Sequence, residues 1–137
     1  MRELKFRGKR LDNGEWAYGY LVELFTEVGE RYVIDACRHF DRDNYSLDAV
    51  EVDPQTVGEY TGLKDENGKE IYEGDILSSE YPVKGKRNCH PVVWGSGRWE
   101  VDHIVNDCCR AWRGDLNGHH ASEEVIGNIY ENPELLK

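Results

Sequence analysis

The acids are where chemistry would be sought first. From Tyr60 to Leu77 the chain reads YTGLKDENGKEIYEGDIL, which brings Asp65, Glu66, Glu70, Glu73 and Asp75 into one short stretch. Paired carboxylates can move a proton at a reacting group or hold a hard cation. Their spacing does not match a calcium-binding loop. It does match turns. Asp65 to Gly68 carries Asn67-Gly68 at its tip, and Glu73-Gly74-Asp75 has the composition of a tight turn or bulge. There Gly takes backbone angles closed to other residues, and Asp bonds a nearby amide. Asn67, Gly68, Gly74 and Asp75 are therefore read as a structural motif, with no catalytic residue assigned.

Cysteine and histidine offer a second chemistry. Cys37 and His39 share one side of a strand, while Cys89-His90, Cys108-Cys109 and His119-His120 are adjacent pairs. A zinc site drawn from Cys37, His39, Cys89 and Cys108 is the candidate set, but the usual C-x2-4-C spacing is missing. Neighbours along a strand point to opposite faces, so each pair supplies one ligand at most. Cys89 with His103 or His119 would make a nucleophile and base, yet no flanking signature accompanies them. The expectation is small buried thiols, surface histidines, no metal and no cofactor.

Basic clusters offer a third. KFRGKR opens the chain, and Lys84, Lys86 and Arg87 lie close to Trp94. Small β-barrels bind single-stranded nucleic acid through such mixtures of cations and aromatic rings. The formal net charge of −10 and the pI near 4.9 oppose it, because phosphate binding needs a positive surface. Gly95-Ser96-Gly97 lacks the Lys-Ser/Thr that completes a phosphate loop.

The elements that would position these groups are mostly strands. The 137 residues suit one domain or two small lobes, and an aromatic content of 11% supplies large buried side chains. In WAYGYLVEL, Trp16, Tyr18, Tyr20, Val22 and Leu24 alternate with Ala17, Gly19, Leu21, Glu23 and Phe25. That period of two marks a half-buried strand. Asn13-Gly14 before it predicts a hairpin turn. Further strands are predicted in Arg31–Phe40, Leu47–Val52, VGEYTGL, KEIYEGDIL, PVVWGSGRWEV and EEVIGNIY. In that set Trp94 and Trp99 are expected to pack inward. Asp53-Pro54 opens a helical turn, and Asn132-Pro133 repeats that logic for a short C-terminal helix or turn. HIVNDCCRAW fits either a strand or a short helix. Many short strands with Gly turns predict a mainly β fold, a small β-barrel or sandwich. The start of the chain lacks the apolar segment of a signal peptide, and no apolar run approaches membrane-spanning length. The chain is expected in the cytoplasm, with its thiols reduced.

TVGEYTGLKDENGKEIYEGDIL, with MRELKFRGKR before it and EEVIGNIYENPELL after it, closely resembles the YopX family of bacteriophage and prophage proteins. The resemblance implies a β-rich fold whose C-terminal part is an SH3-like barrel, here 57–137, beside an N-terminal β-hairpin-rich lobe, 1–56. It also implies an origin in a phage or integrated phage genome of a bacterial host. No established activity or catalytic residues come with the family. The expected function is a non-enzymatic module that binds a protein partner or self-associates. The alternative is a nucleic-acid-binding or ribonuclease-like small barrel using Lys84, Lys86, Arg87 and Trp94.

Overall fold

The computed structural model describes residues 4–36, 40–41, 44–45, 49–79, 88–95, 98–105, 110–115 and 124–136. The chain divides into two compact units, Met1–Tyr60 and Thr61–Lys137.

In the first unit, β1 (Phe6–Lys9) and β2 (Trp16–Thr26) form the antiparallel hairpin that Asn13-Gly14 announces. Gly14 sits at φ +73 and its amide bonds the Arg10 carbonyl. The ribbon continues into β3 (Gly29–Asp35), with Thr26 opposite Gly29 at its tip. A short pair, β4 (Phe40–Asp41) and β5 (Asn44–Tyr45), stands apart. β6 (Ala49–Val52) then covers the far side of β3, so the order runs β6-β3-β2-β1. After it, Asp53 caps the 3-10 turn Pro54–Thr56, and its carboxylate accepts from the Gln55 amide. The Thr56 hydroxyl accepts from the Lys9 amide and donates to the Asp53 carbonyl, tying this turn to β1. β7 (Gly58–Lys64) begins by pairing with β1 at Phe6 and Arg7.

The inward face of this sheet holds Ile34 and Val52. It is also where β1 and β2 turn small residues inward. A Cβ on Gly8 would sit 2.9 Å from Val52, and one on Gly19 would reach the Asp35 carbonyl. β2 is thus inverted relative to an ordinary half-buried strand. Its small residues Ala17 and Gly19 face inward, while Tyr18, Tyr20, Val22 and Leu24 stand out in solvent.

In the second unit β8 (Glu70–Tyr72) returns beside β7 through the KDENGK turn. β9 (Asp75–Ser79), β10 (Asn88–Gly95), β11 (Arg98–Val105), β12 (Arg110–Asp115) and β13 (Glu124–Asn128) form an antiparallel sheet of order β12-β11-β10-β9-β13. β10 serves two partners in succession. Asn88–Pro91 pairs with β9, and Val92–Gly95 pairs with β11. Ile71, Leu77, Val92, Trp99 and Val125 make the core, with Leu63 packed against them. The segment read as strand or helix is a strand pair, since Val105 stands opposite Arg110. The C-terminal turn is 3-10, Pro133–Leu136.

The mainly β class is as expected. Among the described residues the two larger sheets are antiparallel and open, with no pairing of β12 to β13 that would close a barrel.

Candidate functional site

The acidic stretch resolves into two turns in which Asp65 and Asp75 are buried, while Glu66 is exposed and Glu70 and Glu73 are half-buried. Asp65 is only 7% exposed. Its Oδ1 accepts from the amides of Asn67 and Lys69, each at 2.9 Å, which closes the Asn67-Gly68 turn. Gly68 takes φ +81 at the tip. The Asp65 Oδ2 accepts from the Val125 amide at 3.0 Å, across to β13. Asp75 is buried, and its Oδ2 accepts from the Tyr72 amide at 2.8 Å. Between them Gly74 sits at φ +89, donates to the Val92 carbonyl and accepts from the Ile129 amide. A buried carboxylate that gathers backbone N–H groups fixes chain direction and stays an acceptor; it has no open side for substrate. Asp65 and Asp75 therefore organise the fold.

The C-terminal block behaves the same way. Asn128 Oδ1 accepts from the amides of Tyr130 and Glu131, and Asn132 Oδ1 accepts from the Asn128 amide at 3.3 Å. The cap-like Asn132-Pro133 pattern foretold the last turn. It gave no sign that Asn128 would be buried as the hub of the preceding one.

Of the proposed zinc ligands, Cys37, His39 and Cys108 lie outside the described residues, while Cys89 is half-buried on β10. Among the described residues no group of three or more His, Cys, Asp or Glu side chains is placed to hold a metal ion. Lys84, Lys86 and Arg87 also lie outside them. Trp94 is described, and here the inward expectation needs correction. Trp99 is buried, but Trp94 is 48% exposed and meets Trp99 edge-on, with ring centroids 4.8 Å apart. The two stand directly opposite on β10 and β11 and so share one face of the sheet, where Trp99 is covered and Trp94 is left half open to solvent.

The most distinctive surface is the outer face of the first unit. Register sets Lys9 opposite Trp16 and Arg7 opposite Tyr18. The Arg7 guanidinium lies 4.5 Å from the Trp16 ring centroid and the Lys9 ammonium 5.6 Å. On the other flank Asp35 stands opposite Tyr20, Val33 opposite Val22, and Arg31 opposite Leu24, with Glu51 in an ion pair to Arg31 at 3.2 Å. On the inward face Tyr32 stands opposite Glu23. The charges of Glu23 and Glu30 push its phenol above the usual tyrosine range. The composition of this outer face was visible in the alternation of WAYGYLVEL. Which side would be buried was decided by Gly8 and Gly19, whose role only the packing reveals.

The fold is that of a small mainly β protein whose densest acidic stretch lies in two turns, with Asp65 and Asp75 buried against backbone amides. Among the described residues no helix is long and apolar enough to cross a membrane. Over residues 5–137 the chain matches the family model described as YopX protein, and it belongs to that family. The crystal structure of protein EF1440 from Enterococcus faecalis is similar, with 26% identity and a TM-score of 0.52 over 100% of both chains. The crystal structure of protein yopX from Bacillus subtilis shares the fold at 22% identity and a TM-score of 0.53, again over 100% of both chains. Among curated proteins none matches the chain.

Proposed function

We propose that this chain is a non-enzymatic, phage- or prophage-encoded protein that acts in the cytoplasm of a bacterial host by binding another protein. The observation that carries the reading is the inverted β2. An antiparallel sheet with one wet face ordinarily turns its polar residues outward. Here Tyr18, Tyr20, Val22 and Leu24 form a continuous outward row, and a contiguous apolar row in solvent marks an interaction surface. The acids best suited to chemistry, Asp65 and Asp75, are occupied by backbone amides. The test is affinity capture from host cells with two baits, the natural chain and a Tyr20→Lys, Leu24→Lys variant. A partner held by the first and lost by the second supports the reading. Equal capture by both, or none, sinks it.

A second reading, binding of single-stranded nucleic acid, draws on Lys9 beside Trp16 and on the exposed Tyr18 and Tyr20. Electrophoretic shift and RNA cleavage at low salt test it, since phosphate binding is strongest there.

A further inference from the structure

We propose that the open edge of β2, residues 20–26, is a docking site for an extended segment of a basic protein, added to the sheet as an antiparallel strand. This rests on the protein-binding reading and deepens it by naming the partner's chemistry and its mode of attachment. Backbone, charge and apolar surface each argue for it.

The backbone comes first. Lys9 turns both of its main-chain groups away from β2. Its amide donates to Thr56 Oγ1, and its carbonyl accepts from the Asp53 amide. Main-chain groups alternate in direction along an antiparallel pair. Gly8 and Phe6 are therefore the residues of β1 that bond β2, opposite Ala17 and Gly19. The same alternation aims the N–H and C=O groups of Leu21, Glu23 and Phe25 to that side of β2. Pairing with β1 nevertheless stops at Gly19. Lys5 and Leu4, next in register, lie outside any strand, and the Lys5 carbonyl accepts from the Tyr60 amide instead. Among the described residues no strand covers this edge, while β3 holds the other side of β2 as far as Thr26. An uncovered edge ordinarily carries Lys, Pro or a bulge that keeps other chains off. Residues 20–26 read YLVELFT, with Glu23 as their only charge, and their register against β3 runs unbroken.

Charge selects the guest. Glu23, Glu27 and Glu30 are all exposed on the β2–β3 ribbon. Arg31, the only Lys or Arg between residues 20 and 35, is bound to Glu51 at 3.2 Å. The ribbon's own carboxylates therefore act uncancelled, and Glu23 and Glu30 hold the Tyr32 phenol above its ordinary range. A second copy is a poor guest. The antiparallel register that pairs all of 20–26 with itself sets Glu23 against Glu23, and like charges directly opposite destabilise a sheet. A Lys or Arg opposite Glu23 does the reverse.

The apolar surface completes the pattern. Tyr20, Val22 and Leu24 are exposed on the outer face, and Phe25 is 77% exposed on the other. A strand laid beside them sends alternate side chains to the two faces. The guest that fits places apolar residues next to Tyr20, Val22 and Leu24 and a basic residue opposite Glu23. In strand addition the main-chain bonds supply affinity and the alternate side chains supply selectivity.

The test uses the full chain and a labelled synthetic peptide of about seven residues, a common strand length, alternating valine with lysine. Fluorescence anisotropy should show binding that weakens as salt is added. A counterpart with glutamate for lysine should bind at least about tenfold more weakly, and Glu23→Lys should reverse that preference. In the antiparallel arrangement the peptide's lysine amides face β2 and its valine amides face solvent. N-methylation at the lysines should therefore abolish binding, and N-methylation at the valines should spare it. Amide hydrogen exchange supplies a readout without any ligand: Leu21, Glu23 and Phe25 should exchange faster than Val22 and Leu24, and slow when the lysine peptide is added. Failure of both peptides to bind overturns the proposal, as does equal binding of the two or indifference to the site of N-methylation. Protection of Leu21, Glu23 and Phe25 in the free chain equal to that of Val22 and Leu24 overturns it too, because the edge is then already covered. If the peptides fail while Tyr20→Lys, Leu24→Lys still costs the chain a captured protein, the binding reading stands and only strand addition is removed.

Discussion

The Asp65 carboxylate accepts a hydrogen bond from the Val125 amide at 3.0 Å, joining residues 60 positions apart in the chain. The same side chain holds the Asn67-Gly68 turn through two further amides. β13 shifts register between Val125 and Gly127, where it pairs with β9. The Asp65 contact therefore supports an irregular strand at its weak point.

Replacing Asp65 tests this tie. Hydrogen bonds to a charged acceptor contribute about 1.5–3 kcal/mol each, and a buried amide left without a partner costs about as much again. Asp65→Ala should lower unfolding free energy by about 3 kcal/mol. Asp65→Asn should cost less, because one oxygen remains while an NH2 must face an N–H. Urea denaturation reads both as a lower midpoint at unchanged slope. A midpoint unmoved in Asp65→Ala would show that the carboxylate carries no structure.

Much of this was legible in the chain. Asn13-Gly14, Asn67-Gly68 and Asp53-Pro54 announced their turns, because turn chemistry is local. The period-two pattern located β2, and the positive φ of Gly74 and the amide bonded to Asp75 fit the turn read from their types. What was not legible depended on partners distant in sequence. Nothing in KDENGK names Val125, and nothing near Asn128 says that its amide will be buried. Trp94 and Trp99 look alike in sequence, yet one is core and the other surface. The side on which β2 would be covered hung on two glycines, Gly8 and Gly19, that look unremarkable beside a row of Trp and Tyr.

Gly74 and Gly68 separate strain from crowding. Both have positive φ, +89 and +81. A Cβ on Gly68 meets open space, whereas on Gly74 it would lie 3.0 Å from Tyr130 Cε2. Gly68→Ala should cost about 1 kcal/mol from backbone strain alone. Gly74→Ala should cost about 2–3 kcal/mol, strain plus displacement of a packed ring. Thermal melts rank the two; equal losses would mean the Tyr130 contact yields freely.

Gly19 should be the least replaceable glycine in the first unit. Its φ is +154, and a Cβ there would run into the Asp35 backbone, which cannot swing aside as a side chain can. Gly19→Ala should destabilise by more than about 3 kcal/mol, or prevent β2 and β3 from pairing at that point. Gly29→Ala, with φ +120 but open space, is the control. Amide hydrogen exchange across Tyr20–Asp35 would show the ladder loosening in the first variant. Full protection in Gly19→Ala would contradict the close approach.

Tyr32 offers a titration that reports on the hairpin directly. Glu23 faces it across the strands and Glu30 lies two residues away, receiving its hydroxyl hydrogen bond at 3.4 Å. Tyrosine becomes charged on losing its proton, so both carboxylates oppose ionisation and the folded pKa rises above the ordinary value, Glu23 contributing most. The sign follows by linkage. A group that holds its proton more tightly when folded gives its full stabilisation below the unfolded pKa, and that contribution fades as pH climbs through the raised folded value. Its window lies in the alkaline range, above ordinary tyrosine titration. The difference in tyrosinate absorbance between the natural chain and Tyr32→Phe isolates this one ring. Its midpoint should lie above the ordinary range, drop back most in Glu23→Gln and less in Glu30→Gln, and fall on adding salt, which screens exposed charges. An ordinary midpoint in the natural chain would mean that Glu23 and Glu30 do not act on the phenol, and that β2 and β3 are not held in the register that sets Tyr32 opposite Glu23.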